Sequence, residues 1–185
     1  MIGESDSVEI GRGVYDTRRA AALAGVPVST LHYWARTGLI TPSVCPEPHV
    51  RLWSWADLLA LRAIDFFRKA KGKGEPNRDL FLLAGGDAIR ADHSAQAALP
   101  GVLALVRPYG RGPDLLEPRP RLRIIPGKLH GEPHLPNTRI PSAAVYALHE
   151  AGYASVVIRR IYPEASPESI ADAIELERSL TDRAA

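Results

Sequence analysis

Three short side chains, Val28, Ser29 and Thr30, are followed one helical turn later by Tyr33 and Arg36. A helix that enters the major groove of duplex DNA needs short groups at its leading end to meet base edges. It also needs a hydroxyl and a guanidinium further along to reach phosphate. Arg18 and Arg19 precede this set and Arg51 follows it, where guanidinium groups can hold phosphates or reach the minor-groove edge. The charge distribution agrees: residues 11–73 hold ten Lys/Arg against four Asp/Glu, a net of +6, whereas the first ten residues carry −3 and residues 74–185 carry 13 basic and 14 acidic side chains. The net charge of +2 for the whole chain hides this asymmetry, and attraction of a polyanion depends on distribution rather than on the total.

Other chemistries find little support. No nucleophile with a base partner, no phosphate-binding loop and no metal-ligand constellation stands out, so an enzyme, a metal site and a cofactor are not expected. His130 and His134 are four apart, but Gly131 and Pro133 lie between them and prevent the helix that would bring both rings to one side. Glu164, Glu168, Asp172, Glu175, Glu177 and Asp182 spread around the last helical stretch and read as a solvated or partner-facing acidic surface. Cys45 is the only cysteine, which excludes an internal disulfide. A hydrophobic content of 45% over 185 residues suits one or two packed domains. No run approaches the roughly 20 apolar residues of a membrane span, and the opening residues lack the pattern of a signal peptide, so a cytoplasmic location is expected.

The elements that must position the basic set follow from local signals. Asp16 can cap a helix over 17–24, rich in alanine, and Gly25 supplies a left-handed stop. A second helix with Ser29 as its cap carries Leu31, Tyr33, Trp34 and Ala35 and ends at Gly38, which completes a helix-turn-helix. Prolines 42, 46 and 48 make 42–51 a short β-hairpin or wing. Ser54 then caps a helix bearing Leu58, Leu59, Leu61, Ile64 and Phe67, and 71–76 reads as a flexible basic linker. Residues 80–84 and 102–106 read as strands around a helix-like middle. The proline-rich stretch 107–121 reads as an extended linker.

Taken together, Tyr15, 20–26, Ser29-Thr30-Leu31-His32-Tyr33-Trp34, Arg36, Gly38-Leu39-Ile40, Pro42, Arg51-Leu52-Trp53-Ser54 and Asp57-Leu58 resemble the MerR-type winged helix-turn-helix. The resemblance covers about a third of the chain and implies binding to double-stranded operator DNA through the second helix and the wing. Two departures stand out. A single cysteine does not fit the metal-sensing members, and the long dimerisation helix expected after the DNA-binding unit would break at Gly72, Gly74 and Pro76. A homodimer therefore requires contacts in the middle or C-terminal region.

A second compact unit is expected over 121–182. Residues 122–125 form a possible short strand, 126–139 are turn-rich, and helices follow over 142–151, 155–162 and from Pro167 onward, the last capped by Ser166 with Glu168 at its positive end. The segments 121–128, 131–141, Gly152, Ile161-Tyr162-Pro163 and 167–174 resemble a small homeodomain-like module of certain VapB-type antitoxins, with Asn137 where that module usually has Gly. Asn tolerates the left-handed conformation well enough to keep the turn. The expected architecture is thus mainly α: a winged helix-turn-helix over 12–73, a small mixed α/β middle segment and linker over 74–120, and a C-terminal three-helix homeodomain-like module over 121–182 for dimerisation or toxin binding.

The second resemblance implies a partner, a PIN-like ribonuclease toxin. Its clustered carboxylates around a divalent metal would accept an inserted guanidinium, and Arg119, Arg121, Arg123 and Arg139 are the candidates. The expected function is a type II antitoxin that represses its own operon and neutralises that toxin. The alternative is a stand-alone MerR-like transcription regulator whose C-terminal region responds to a small molecule.

Overall fold

The computed structural model describes residues 13–44, 50–70 and 106–184, and these are mainly helical. Helix α1 (Thr17–Ala24) starts where the Asp16 side chain accepts the backbone N–H of Arg19, and it ends at Gly25 with φ +78°. Helix α2 (Val28–Arg36) begins after extended Pro27, without a side-chain cap. Ser29, expected to be that cap, sits inside the helix, because Pro27 already sets the entry angle through its fixed φ. Helix α3 (Trp55–Ala70) opens with a reciprocal cap: Asp57 Oδ2 accepts the Ser54 N–H at 2.9 Å, and Ser54 Oγ accepts the Asp57 N–H at 3.2 Å.

Between α2 and α3 the chain forms single antiparallel bridges, Val44 with Leu52 and Tyr15 with Trp53. The base of the expected hairpin is therefore paired, while 45–49 lie outside the described residues. Leu23, Leu31, Trp34, Trp53, Leu58, Leu59 and Leu61 are buried together and form the core of this unit. Each such side chain contributes about 1.5–3 kcal/mol on burial.

The expected linker and strands of the middle region fall mostly outside the described residues. Val106, assigned to the second strand, is helical instead. The expectation of an extended linker over 107–121 is overturned, because this stretch packs on the first unit. Arg62, buried inside α3, donates to the carbonyls of Leu23 (2.8 Å), Val106 (3.1 Å), Arg107 (2.7 Å) and Pro113. Burial lowers the Arg62 pKa to about 10, with Asp114 opposing the shift, so the guanidinium remains cationic at neutral pH. Proline carries a carbonyl acceptor but no N–H donor, and a buried cation with several donors suits such a segment.

The C-terminal unit comprises α4 (Ser142–Glu150), α5 (Ser155–Ile161) and α6 (Pro167–Ala184), the three expected helices. Ahead of them, Arg123 and His134 exchange backbone hydrogen bonds at 2.9 Å. Asn137 takes φ +59°, as the sequence requires. Helix α6 packs on both α4 and α1, so the two units share one interface. Tyr15 reinforces it by donating its hydroxyl to the Gly131 carbonyl at 2.8 Å. No helix among the described residues is long and apolar enough to cross a membrane.

Candidate nucleic-acid interface

Helix α2 is pinned by one face and open on the other. Leu31 and Trp34 are buried, while Ser29, His32, Tyr33 and Arg36 are exposed. The spacing of these four puts them on one side of a helix with 3.6 residues per turn. Tyr33 is 50% exposed, and the Arg36 guanidinium carbon lies 5.9 Å from its ring centroid, a cation–π distance that preorganises both groups. Thr30 is half-buried at the edge of this face, and Val28 packs partly against the core, which leaves Ser29 and Thr30 as the polar groups at the leading end. His32 belongs to the same face, although it is absent from the set of side chains expected to contact DNA. The three-to-four residue spacing from Ser29 and Arg36 was the signal that could have found it.

Arg18 is exposed on α1, and Arg51 is exposed beside the Val44–Leu52 bridge. Arg19 corrects the expectation that it faces phosphate. Its guanidinium turns inward and meets Glu132 Oε2 at 2.6 Å, Glu177 Oε2 at 2.6 Å and Glu177 Oε1 at 2.9 Å. Burial works against the Arg19 charge, but the hydrogen bond to Glu177 and the field of Glu132 outweigh it and raise the pKa above its ordinary value. Glu177 corrects a second expectation: it is 4% exposed rather than part of a solvated acidic surface. Its carboxylate also accepts from the Ser142 hydroxyl. One carboxylate thus joins α1, α4 and α6.

The four arginines expected to meet a toxin have different surroundings. Arg119 pairs with Glu175 at 3.2 Å, and Arg123 pairs with Glu117 at 3.3 Å and also donates to the carbonyls of Pro120 and Leu122. Arg121 is exposed and is tied through its backbone N–H to Asp172 at 2.8 Å. Arg139 is exposed at the Asn137 turn. His134 is 1% exposed with Nδ1 at 3.0 Å from the Glu132 carbonyl, whereas His130 is exposed. Among the described residues, no group of three or more His, Cys, Asp or Glu is placed to hold a metal.

Comparison with known families assigns the two units separately. Residues 15–74 match the model described as MerR HTH family regulatory protein, and residues 123–176 match the model described as Protein of unknown function (DUF433). No curated protein and no solved structure matches the chain. The exposed face of α2 accordingly belongs to a MerR-type helix-turn-helix, the domain of DNA-binding regulators, joined in this chain to a DUF433 domain.

Proposed function

We propose that this protein is an antitoxin that binds its operator DNA, represses its own operon and neutralises a PIN-like ribonuclease. The observation that carries the DNA-binding half is the α2 face of Ser29, His32, Tyr33 and Arg36, exposed on a helix whose opposite side is anchored by Leu31 and Trp34. Arg18 and Arg51 supply further exposed guanidinium groups, and the segment closed by the Val44–Leu52 bridge serves as the wing. The first arginine to meet phosphate in this reading is Arg36, already held over Tyr33.

The toxin-binding half rests on the resemblance of residues 121–174 to the module of VapB-type antitoxins. Of the four arginines considered, Arg139 and Arg121 have exposed side chains to offer a partner, while Arg119 and Arg123 are engaged with Glu175 and Glu117. A homodimer places two α2 helices on a palindromic site with half-sites about one helical turn apart.

The test is recovery of tagged protein from its native host, with a ribonuclease assay of any stoichiometric partner alone and in complex. A small partner that cleaves RNA alone and is silent in the complex supports the antitoxin. Recovery bound to DNA without such a partner favours the stand-alone regulator and ends the antitoxin reading.

A further inference from the structure

The turn between α4 and α5 repeats the backbone hydrogen bonds of the turn between α1 and α2. In the N-terminal turn, Gly25 at φ +78° stands three residues before the start of α2; in the C-terminal turn, Gly152 at φ +88° stands three residues before the start of α5. The stop signals match: the Gly25 N–H donates to Ala22 and the Val26 N–H to Ala21, and the Gly152 N–H donates to His149 and the Tyr153 N–H to Leu148. This is the pattern that closes a helix on a left-handed residue. The entry into the second helix also matches. Pro27 and Ala154 are both extended, and their carbonyls accept the N–H groups of Leu31 and Ile158 at 3.0 and 3.1 Å.

Aligned by this geometry, Leu31 and Ile158 are the same position, and both are fully buried. The exposed positions of α2, namely Ser29, His32 and Tyr33, then correspond to Val156, Arg159 and Arg160 of α5, all exposed. Helix α5 contains two arginines and no acid. Val156 is 61% exposed, an apolar side chain between cations, which is a combination suited to a thymine methyl flanked by phosphates.

We propose that α5 is a second DNA-contacting helix, so that one chain holds duplex DNA at two places, with Arg159 and Arg160 on phosphate and Val156 towards the base edges. The two motifs are held at a fixed separation by the Arg19, Glu177 and Ser142 contacts, which tie the first helix of one motif to the first helix of the other across α6. Arg159 lies in the field of Glu168, whose carboxyl is held below its usual pKa by its own backbone N–H and by Ser166, and further by Arg121 and Arg159. This inference rests on the DNA-binding reading of α2.

The experiment is salt-dependent binding of the full chain to a random-sequence duplex of about 30 base pairs, roughly three helical turns. The proteins are wild type, Arg36→Ala, the double variant Arg159→Ala with Arg160→Ala, and a charge-matched control, Arg107→Ala with Arg111→Ala. Loss of two phosphate contacts makes the log–log salt slope shallower by about 1.8 and lowers affinity in about 0.1 M salt by up to about 60-fold. The α5 double variant is expected to show this loss and the control is not. If wild type binds and Arg36→Ala weakens it while the α5 variant matches the control, the second contact is refuted, and α5 then faces a protein partner. If wild type does not bind the duplex at all, the underlying reading of α2 fails instead. All four substituted arginines of the two double variants are exposed, and circular dichroism confirms that each variant is folded before its binding is compared.

Discussion

Replacing Arg19 with Met removes the cation from a buried pair of carboxylates and keeps most of the side-chain volume. Arg19 and Glu177 have side chains only 15% and 6% exposed, and Glu132 is 28% exposed. Without the guanidinium, Glu177 is a carboxylate in a nearly dry site with only the Ser142 hydroxyl as a partner, while Glu132 can turn towards water. Breaking a buried ion pair on one side costs about 3–5 kcal/mol, because the remaining charge is uncompensated. For a chain of this size, about 2–4 °C of Tm per kcal/mol converts this to a fall of about 6–20 °C. The companion variant, Arg19→Met with Glu177→Met, removes both charges and should recover at least half of the loss, since a buried pair replaced by apolar groups is near neutral. The assay is thermal unfolding followed by circular dichroism, with duplex binding measured well below each Tm. A Tm for Arg19→Met within two or so degrees of wild type, or a double variant less stable than the single one, refutes the assignment of a buried stabilising network. A change in the DNA salt slope would show that Arg19 faces phosphate after all.

Two glycines with similar backbone angles should respond differently to alanine. At Gly152 a Cβ meets nothing within 4 Å, so the cost is the left-handed strain of about 1–2 kcal/mol. At Gly25 it would collide with backbone of Gly112 and Tyr109, and a larger loss of Tm is expected there; equal losses would contradict the packing of the 107–116 segment. Replacing Arg62 with Met strands buried carbonyls of Leu23, Val106 and Pro113 and should cost about 3 kcal/mol or more, with faster proteolysis in that segment. Unchanged cleavage and Tm would show that Arg62 does not hold it. Burial keeps the His134 pKa below its ordinary 6.5, with the Glu132 backbone opposing the shift and Lys128 adding to it. The unfolded chain then binds more protons as the pH drops, so stability is full above 6.5 and declines as the pH falls towards the depressed value. Thermal melts across that interval should flatten in His134→Gln, and identical slopes would remove His134 as the cause.

Features encoded within a few residues were legible. The Asp16 cap, the Gly25 stop, the Ser54 cap and the Ser166-Pro167-Glu168 start each depend on neighbours in sequence, and each appears where expected; the reciprocal bond from the Ser54 N–H to Asp57 was not foreseen. Arg19 could not be read this way, because its partners lie 113 and 158 positions away. An arginine beside exposed Arg18 looks identical in sequence whether it faces phosphate or a buried carboxylate. The proline-rich stretch misled for a related reason: prolines exclude helix but do not exclude packing, and the cation that binds the carbonyls of Val106, Arg107 and Pro113 sits in α3. Arg62 itself carried a signal, as a lone charge among Leu58, Leu59, Leu61 and Ile64 on a buried helix. The repeat of the helix-turn-helix was hidden because it resides in φ angles and hydrogen bonds rather than in shared residues. Only the glycine and two alanines, Ala20 with Ala147 and Ala24 with Ala151, recur at equivalent positions.

The most direct test of the central claim is the salt dependence of duplex binding for wild type, Arg36→Ala and Arg51→Ala. The account predicts tight binding that weakens steeply with salt, with each variant making the log–log slope shallower by about 0.9 as one phosphate contact is lost. Absence of duplex binding, or slopes for both variants that coincide with wild type, would contradict the proposal that α2 and the residues beside the Val44–Leu52 bridge form the DNA-binding surface.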